Sequence, residues 1–137
     1  MATRTHRFLQ NACIRTFKVE TSGDVTLGRP VKFGNADDEV ENASTNEKSI
    51  GTAYLSETTD GARVQVVMHG HSIVPVLVGT GGATRGEYAI ATTDGYTNQT
   101  LGGGTTVKYI AGQFLQSGVA GDYVGMQIGG GYASGAA

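Results

Sequence analysis

The stretch Ala62-Arg63-Val64-Gln65-Val66-Val67-Met68-His69 decides the fold class. Successive side chains of a strand point to opposite faces, so Val64, Val66 and Met68 share one apolar face. Near the other end of the chain, Asp122-Tyr123-Val124-Gly125-Met126-Gln127-Ile128 repeats the pattern with Val124, Met126 and Ile128. Working outward, further strands are predicted over 15–20, 30–33, 49–56, 72–78, 87–92 and 105–116. Turn sequences separate them: Thr21-Ser22-Gly23-Asp24, Thr59-Asp60-Gly61, Thr93-Asp94-Gly95 and Gly102-Gly103-Gly104. Many short strands at this spacing predict an all-β domain, a small β-barrel or a jelly-roll-like sandwich.

The two halves of the chain read as copies of one unit, shifted by about 60 positions. Ile50, Leu55, Gly61, Val64, Met68 and Gly70 line up with Ile110, Leu115, Gly121, Val124, Ile128 and Gly130. Upstream, Gly28-Arg29-Pro30-Val31-Lys32-Phe33 lies opposite Gly86-Glu87-Tyr88-Ala89-Ile90-Ala91 at a slightly smaller shift. What matches are turn glycines and inward apolar positions. Either half alone is too short to bury both faces of its sheet. Two pseudo-symmetric halves packed face to face about a pseudo-twofold are the predicted solution.

Composition narrows the function. The 137 residues suffice for one domain, with 39% hydrophobic and 16% charged residues and 22 glycines. Glycine supplies the positive φ angles of tight turns, and helix formers are scarce. The single cysteine, Cys13, has no internal disulfide partner, so stability comes from packing or from burial against other chains. No window of 18 residues is apolar enough to span a membrane, and Met1 to Arg7 lead into no apolar signal region.

Charge is unevenly placed. Arg4, Arg7, Arg15 and Lys18 stand in the first 18 residues without an acid, whereas the rest of the chain carries twelve acidic and six basic residues. The expected layout is a basic arm over 1–14, a β domain over 15–130 and a flexible Gly/Ala tail over 131–137. The arm reads either as a solvated tail or as a clamp on an acidic partner surface. Four cations without interleaved aromatics, beside an acidic body, point away from nucleic acid.

A search for chemistry returns no catalytic residue, no cofactor site and no metal site. His69 and His71 alternate on a strand and point the same way, but a zinc site needs further ligands and none has suitable spacing. The loop from Val78 to Gly86 is glycine-rich yet precedes a predicted strand instead of a helix, and it lacks a phosphate-binding lysine. Asp37, Asp38, Glu39 and Glu41 lack the alternating oxygen ligands of a calcium loop and read as a solvated hairpin end. Ser22, Ser56 and Ser117 lie in turns without a nucleophile-elbow pattern.

The run Gly23-Asp24-Val25-Thr26-Leu27-Gly28-Arg29-Pro30-Val31, followed by Ile50-Gly51-Thr52-Ala53 and Gly61-Ala62-Arg63-Val64-Gln65-Val66, resembles the capsid cement (decoration) proteins of tailed bacteriophages. The similarity covers roughly residues 15 to 75, and the second half through the repeat. It implies a non-enzymatic virion protein on the outer capsid surface, made in the cytoplasm of a bacterial host. Its implied partners are the major capsid protein and a second copy of itself, as a homodimer before a homotrimer. No nucleic acid or membrane is implied. Arg4, Arg7, Arg15 and Lys18 are the candidate capsid contacts. The alternative is a receptor- or glycan-binding β module of a phage fibre or adhesin, which would gather exposed tyrosines around a pocket.

Overall fold

The computed structural model describes residues 13–20, 24–70, 72–100 and 105–129. Among these residues the chain forms ten strands and no helix. They are β1 (Ile14–Val19), β2 (Pro30–Phe33), β3 (Glu39–Asn42), β4 (Gly51–Ala53), β5 (Arg63–Met68), β6 (Ile73–Leu77), β7 (Tyr88–Thr92), β8 (Gly95–Gln99), β9 (Gly112–Phe114) and β10 (Tyr123–Ile128). The all-β expectation holds. Strands β1 to β5 close into a barrel in the order β1-β3-β2-β4-β5, with β1 antiparallel to β5 and parallel to β3. Strands β6 to β10 form a second five-stranded sheet, ordered β6-β10-β9-β7-β8. Among the described residues its outer strands are joined only by the Val78–Tyr96 bridge, which makes this nearly closed sheet the second barrel.

The second order reproduces the first when each strand is matched to the one five places later. Register follows suit: Ile14 faces Val67 as Ile73 faces Gln127, and Lys18 faces Arg63 as Leu77 faces Tyr123. Gly51 lies opposite Met68 as Gly112 lies opposite Ile128. The internal repeat is therefore a repeated fold. One part of the sequence alignment shifts by a residue: Ile50 corresponds to Ala111 and Leu55 to Gln116. Residues 58–60 separate the bridge residue Glu57 from Gly61, whereas only residues 119–120 separate its counterpart Gly118 from Gly121.

The strand list differs as well. The region 105–116 contributes only the short β9, and β3 and β8 were not foreseen. Strand β3 reads Glu-Val-Glu-Asn, and only Val40 is fully buried, so its alternation is nearly all polar. Pairing on both sides, with β1 and β2, holds it in place.

Each half has its own core. The first is built almost wholly of valine: Val19, Val25, Val31, Val40, Val64 and Val66 with Ala53. Small β-branched side chains suit both strand backbone and the narrow interior of a five-stranded ring. The second core is bulkier, with Tyr96, Phe114, Met126 and Ile128 among valines.

The halves do not meet about a twofold. The first half uses the outer face of β4 and β5, where Val67 packs into the second core. Thr52 Oγ1 shares a buried hydrogen bond with the Tyr96 hydroxyl at 2.5 Å. Burial pushes that phenol well above its ordinary pKa, so it stays protonated. The Gly28 carbonyl accepts from Leu77 N at 2.9 Å. The matching pair on a twofold would set Gly86 against Lys18. Instead, Gly86 borders open space, and Lys18 N donates to the Asp38 carbonyl at 2.7 Å. Different faces of the two halves are therefore used, and the contact is head-to-tail.

This asymmetry separates two otherwise equivalent glycines. Both have positive φ, +83° at Gly28 and +90° at Gly86. A Cβ at Gly28 would stand 2.7 Å from Tyr123 Cε1 and 2.9 Å from Leu77 N, whereas one at Gly86 meets nothing within 4 Å. Gly86→Ala should cost about 1 kcal/mol for its backbone conformation alone. Gly28→Ala should cost roughly 2–4 kcal/mol, because overpacking adds to the same term. Urea unfolding of the two variants checks this, and equal losses would mean the seam is not packed as described.

Candidate interaction surface

The first barrel is plugged at one end by side chains whose strand parity points them inward. Phe17 alternates with the core residue Val19 and faces Val64, while Phe33 alternates with Val31 and faces Val40. At the strand ends these rings have no further layer to pack on. They stack on each other edge to face, with centroids 6.1 Å apart, and Phe33 remains 55% exposed. Met68 closes the same end from β5. Beside them opens a hollow of about 510 Å³, lined by Arg15, Thr16, Phe17, Phe33, Asp37 and Met68. On the other flank of Phe33 a hollow of about 550 Å³ is lined by Lys32, Glu47, Lys48, Ile50 and Tyr109 among others.

The second barrel has nothing comparable at the matching positions. Phe17, Phe33 and Met68 correspond to Val76, Ala91 and Ile128, all fully buried. The first half covers that end, and Asn46 N donates to the Ala91 carbonyl at 2.9 Å. Asn46 also bonds the backbone at Val107 and Tyr109 through its side chain. Among the described residues, the exposed aromatic end of the first barrel is thus the uncovered counterpart of a covered surface.

Charges ring this end. Lys32 Nζ bonds Glu47 Oε2 at 2.7 Å, which raises the lysine pKa and lowers that of the carboxylate. Burial, then a hydrogen bond to Glu20, raises the Glu41 carboxyl above its ordinary value. Of the four candidate contact residues, Arg4 and Arg7 lie outside the described residues. Arg15 lines the aromatic hollow, on the same face of β1 as Phe17. Lys18 points to the other face and pairs with Asp38 at 3.3 Å, an exposed bridge of small energetic weight. The structure therefore does not bring Arg15 and Lys18 together. Phe17 and Phe33 were passed over in the sequence because each fits an inward position. Comparison with Val76 and Ala91 across the repeat would have singled them out.

The remaining motifs are structural. In the loop after Val78, Thr80 N and Oγ1 both donate to the Asp94 carboxylate, lowering its pKa. Gly82 N and Ala83 N donate to Gly79 and Gly118 carbonyls, so these amides are not available to an anion. Among the described residues, no three His, Cys, Asp or Glu side chains stand together as a metal site; His71 lies outside them. The described tyrosines do not gather around a pocket: Tyr96 is fully buried and Tyr88 is 46% exposed.

No family model and no curated protein matches the sequence. The fold is similar to that of the head fiber gp8.5 N base of bacteriophage phi29, with a TM-score of 0.64. The likeness covers 85% of this chain and 94% of the other at 20% identity.

His69 follows Met68 at the plugged end, with Nε2 3.4 Å from Ser49 Oγ. Burial lowers its pKa from 6.5 to about 4. Below pH about 6.5 the unfolded chain takes up a proton that the folded chain refuses until pH about 4. This residue's contribution is thus fully present above pH 6.5, falls as pH drops through that window, and is level below pH about 4. The loss amounts to at most about 3 kcal/mol. Denaturant unfolding across pH 4 to 7 should show a decline that His69→Gln removes in part. An unaltered decline in the variant would assign it to the carboxylates alone.

Proposed function

We infer that this chain is a structural protein of a tailed-phage virion, seated on the outer capsid surface and binding the major capsid protein. The observation that carries the reading is the shared fold of the phi29 head fiber base, which extends over nearly all of both chains. The resemblance of the first half to capsid cement proteins supports it independently. The plugged end of the first barrel supplies the contact surface. An exposed aromatic anchor with an arginine beside it is the composition found at the energetic centres of protein interfaces. Strand β1 starts at this end with Ile14, and the basic residues Arg4 and Arg7 precede it in the sequence. Arginine suits bidentate contacts to carboxylates of a neighbouring subunit. A contact of roughly 800 Å² per partner, repeated over the shell, reinforces joints between subunits even where each is weak.

A second reading is favoured by the same likeness. The similar protein is the base of a head fiber, so the chain also fits a role as the capsid-bound base of a fibre. Both readings place it against the shell. They differ in whether further mass projects outward, and a glycan array separates the receptor-binding form of the second reading from the first.

Truncation tests the capsid contact. Cys13 O accepts from Met68 N, so the cut should fall after residue 12 to leave β1 intact. The truncated chain should keep its β circular dichroism spectrum and lose at least tenfold in affinity for capsids assembled without the protein. Co-sedimentation measures this. Undiminished occupancy would refute a contact made by the basic arm.

A further inference from the structure

Within the chain, the outer face of β4 and β5 covers the end of the second barrel. A head-to-tail contact leaves one unused copy of each of its two surfaces. One is the plugged end of the first barrel. The other is the outer face of β9 and β10, where Gln113 and Gln127 stand at the positions of Thr52 and Val67. Tyr88, which corresponds to the buried Pro30, is 46% exposed there. A hollow of about 330 Å³ lies beside it, lined by Tyr88, Ile110, Gly112, Gln113, Gln127 and Gly129.

We propose that a second copy of this chain occupies these surfaces, the β9–β10 face of one molecule capping the Phe33 end of the next. The contact continues an interface the chain already makes with itself. Its chemistry is complementary: Tyr88 and Ile110 offer apolar surface to Phe33, Phe17 and Met68. The exposed Gln127 amide can bond both Arg15 and Asp37, since an amide both donates and accepts. Gln113, whose Nε2 already donates to the Gly86 carbonyl at 2.9 Å, keeps its carbonyl oxygen for Arg15. The wedge made by Gly28 has no counterpart between molecules, because Lys18 N is already bonded to Asp38. The intermolecular contact therefore uses the capping surfaces only, and it is the weaker of the two. Because the two surfaces differ, such contacts close into a ring or run on as a filament, unlike a twofold dimer. The proposal concerns the free protein: the capsid reading uses the same Phe33 end, so binding to the capsid there would displace the second copy.

Wild type and two variants, compared in analytical ultracentrifugation, decide it. At about 100 µM, wild type should sediment as a species larger than one chain. Phe33→Asp and Tyr88→Asp should each sediment as single chains. An equimolar mixture of the two variants should recover a two-chain species, since each retains the surface the other lacks. Should Phe33→Asp lose its β spectrum, Arg15→Glu on the exposed rim carries the same test. A monomeric wild type overturns the proposal, including the case where it is monomeric yet binds capsids through Phe33. Assembly of Tyr88→Asp with loss in Phe33→Asp overturns it in favour of an end-to-end twofold dimer. Variants that assemble like wild type overturn it too.

Discussion

One backbone amide sets the asymmetry of the molecule. In the first barrel the amide of Lys18 donates to Asp38 beside β3, and the ring closes. In the second, the equivalent amide of Leu77 donates to Gly28 of the first half. The seam between β6 and β8 is then held by a single bridge, Val78 to Tyr96, with Gly28 seated against it. A buried amide without an acceptor costs on the order of a hydrogen bond or more, so each barrel must fill this position. The first does so from within and the second from its neighbour. Only a residue without a side chain, at positive φ, can approach Leu77 so closely.

From that choice follows the distribution of bulk. The second barrel is capped by the first, so its interior admits Tyr96 and Phe114, and the Tyr96 hydroxyl finds Thr52 across the seam. Its covered end needs only Val76 and Ala91. Among the described residues the first barrel has no such cap, and aromatic rings stand at the same two positions. Phe17 and Phe33 shield its valine core from water at the expense of leaving an apolar surface outside.

How much of this was legible depended on which forces keep a residue in place. Alternation of apolar residues marks β5 and β10, because burial on one face fixes both residue type and register. The repeat was visible in Gly28 and Gly86 and in Gly61 and Gly121, where the backbone admits little else. Strand β3 stayed hidden because backbone pairing, not side-chain burial, holds it. The clearest shared signature was polar. Thr26 N donates to Asn42 Oδ1 at 3.0 Å and Asn42 Nδ2 to Thr26 Oγ1 at 3.2 Å; Thr84 and Asn98 repeat both bonds at 2.8 and 2.9 Å. Ser56 and Ser117 each accept from the next backbone amide, of Leu27 and Arg85. A scan tuned to apolar periodicity passes over Thr, Asn and Ser, although these clasps fix the loop after Val25 and Ala83 in the same shape. The direction of the contact between halves was not readable either. Equivalent sequences fit a twofold and a head-to-tail packing alike until one knows which amide lacks a partner.

Closure also governs what kind of surface the chain can offer. An open strand edge binds any other edge, since backbone groups carry no sequence identity. The first half removes its edges by forming a ring, and the second has its seam bridged at Val78 and blocked by Gly28. In the glycine-rich loop Thr80 N donates to Asp94, and the amides of Gly79, Gly82 and Ala83 donate to the carbonyls of Tyr96, Gly79 and Gly118. What remains for a partner is side-chain surface at the barrel ends and on the β9–β10 face, where fit depends on particular residues. Recognition through such surfaces is selective, because a partner must match particular side chains and not a generic strand edge. Selectivity of this kind arises here from backbone closure, complete in the first barrel and finished in the second by the Val78–Tyr96 bridge and the Gly28 contact.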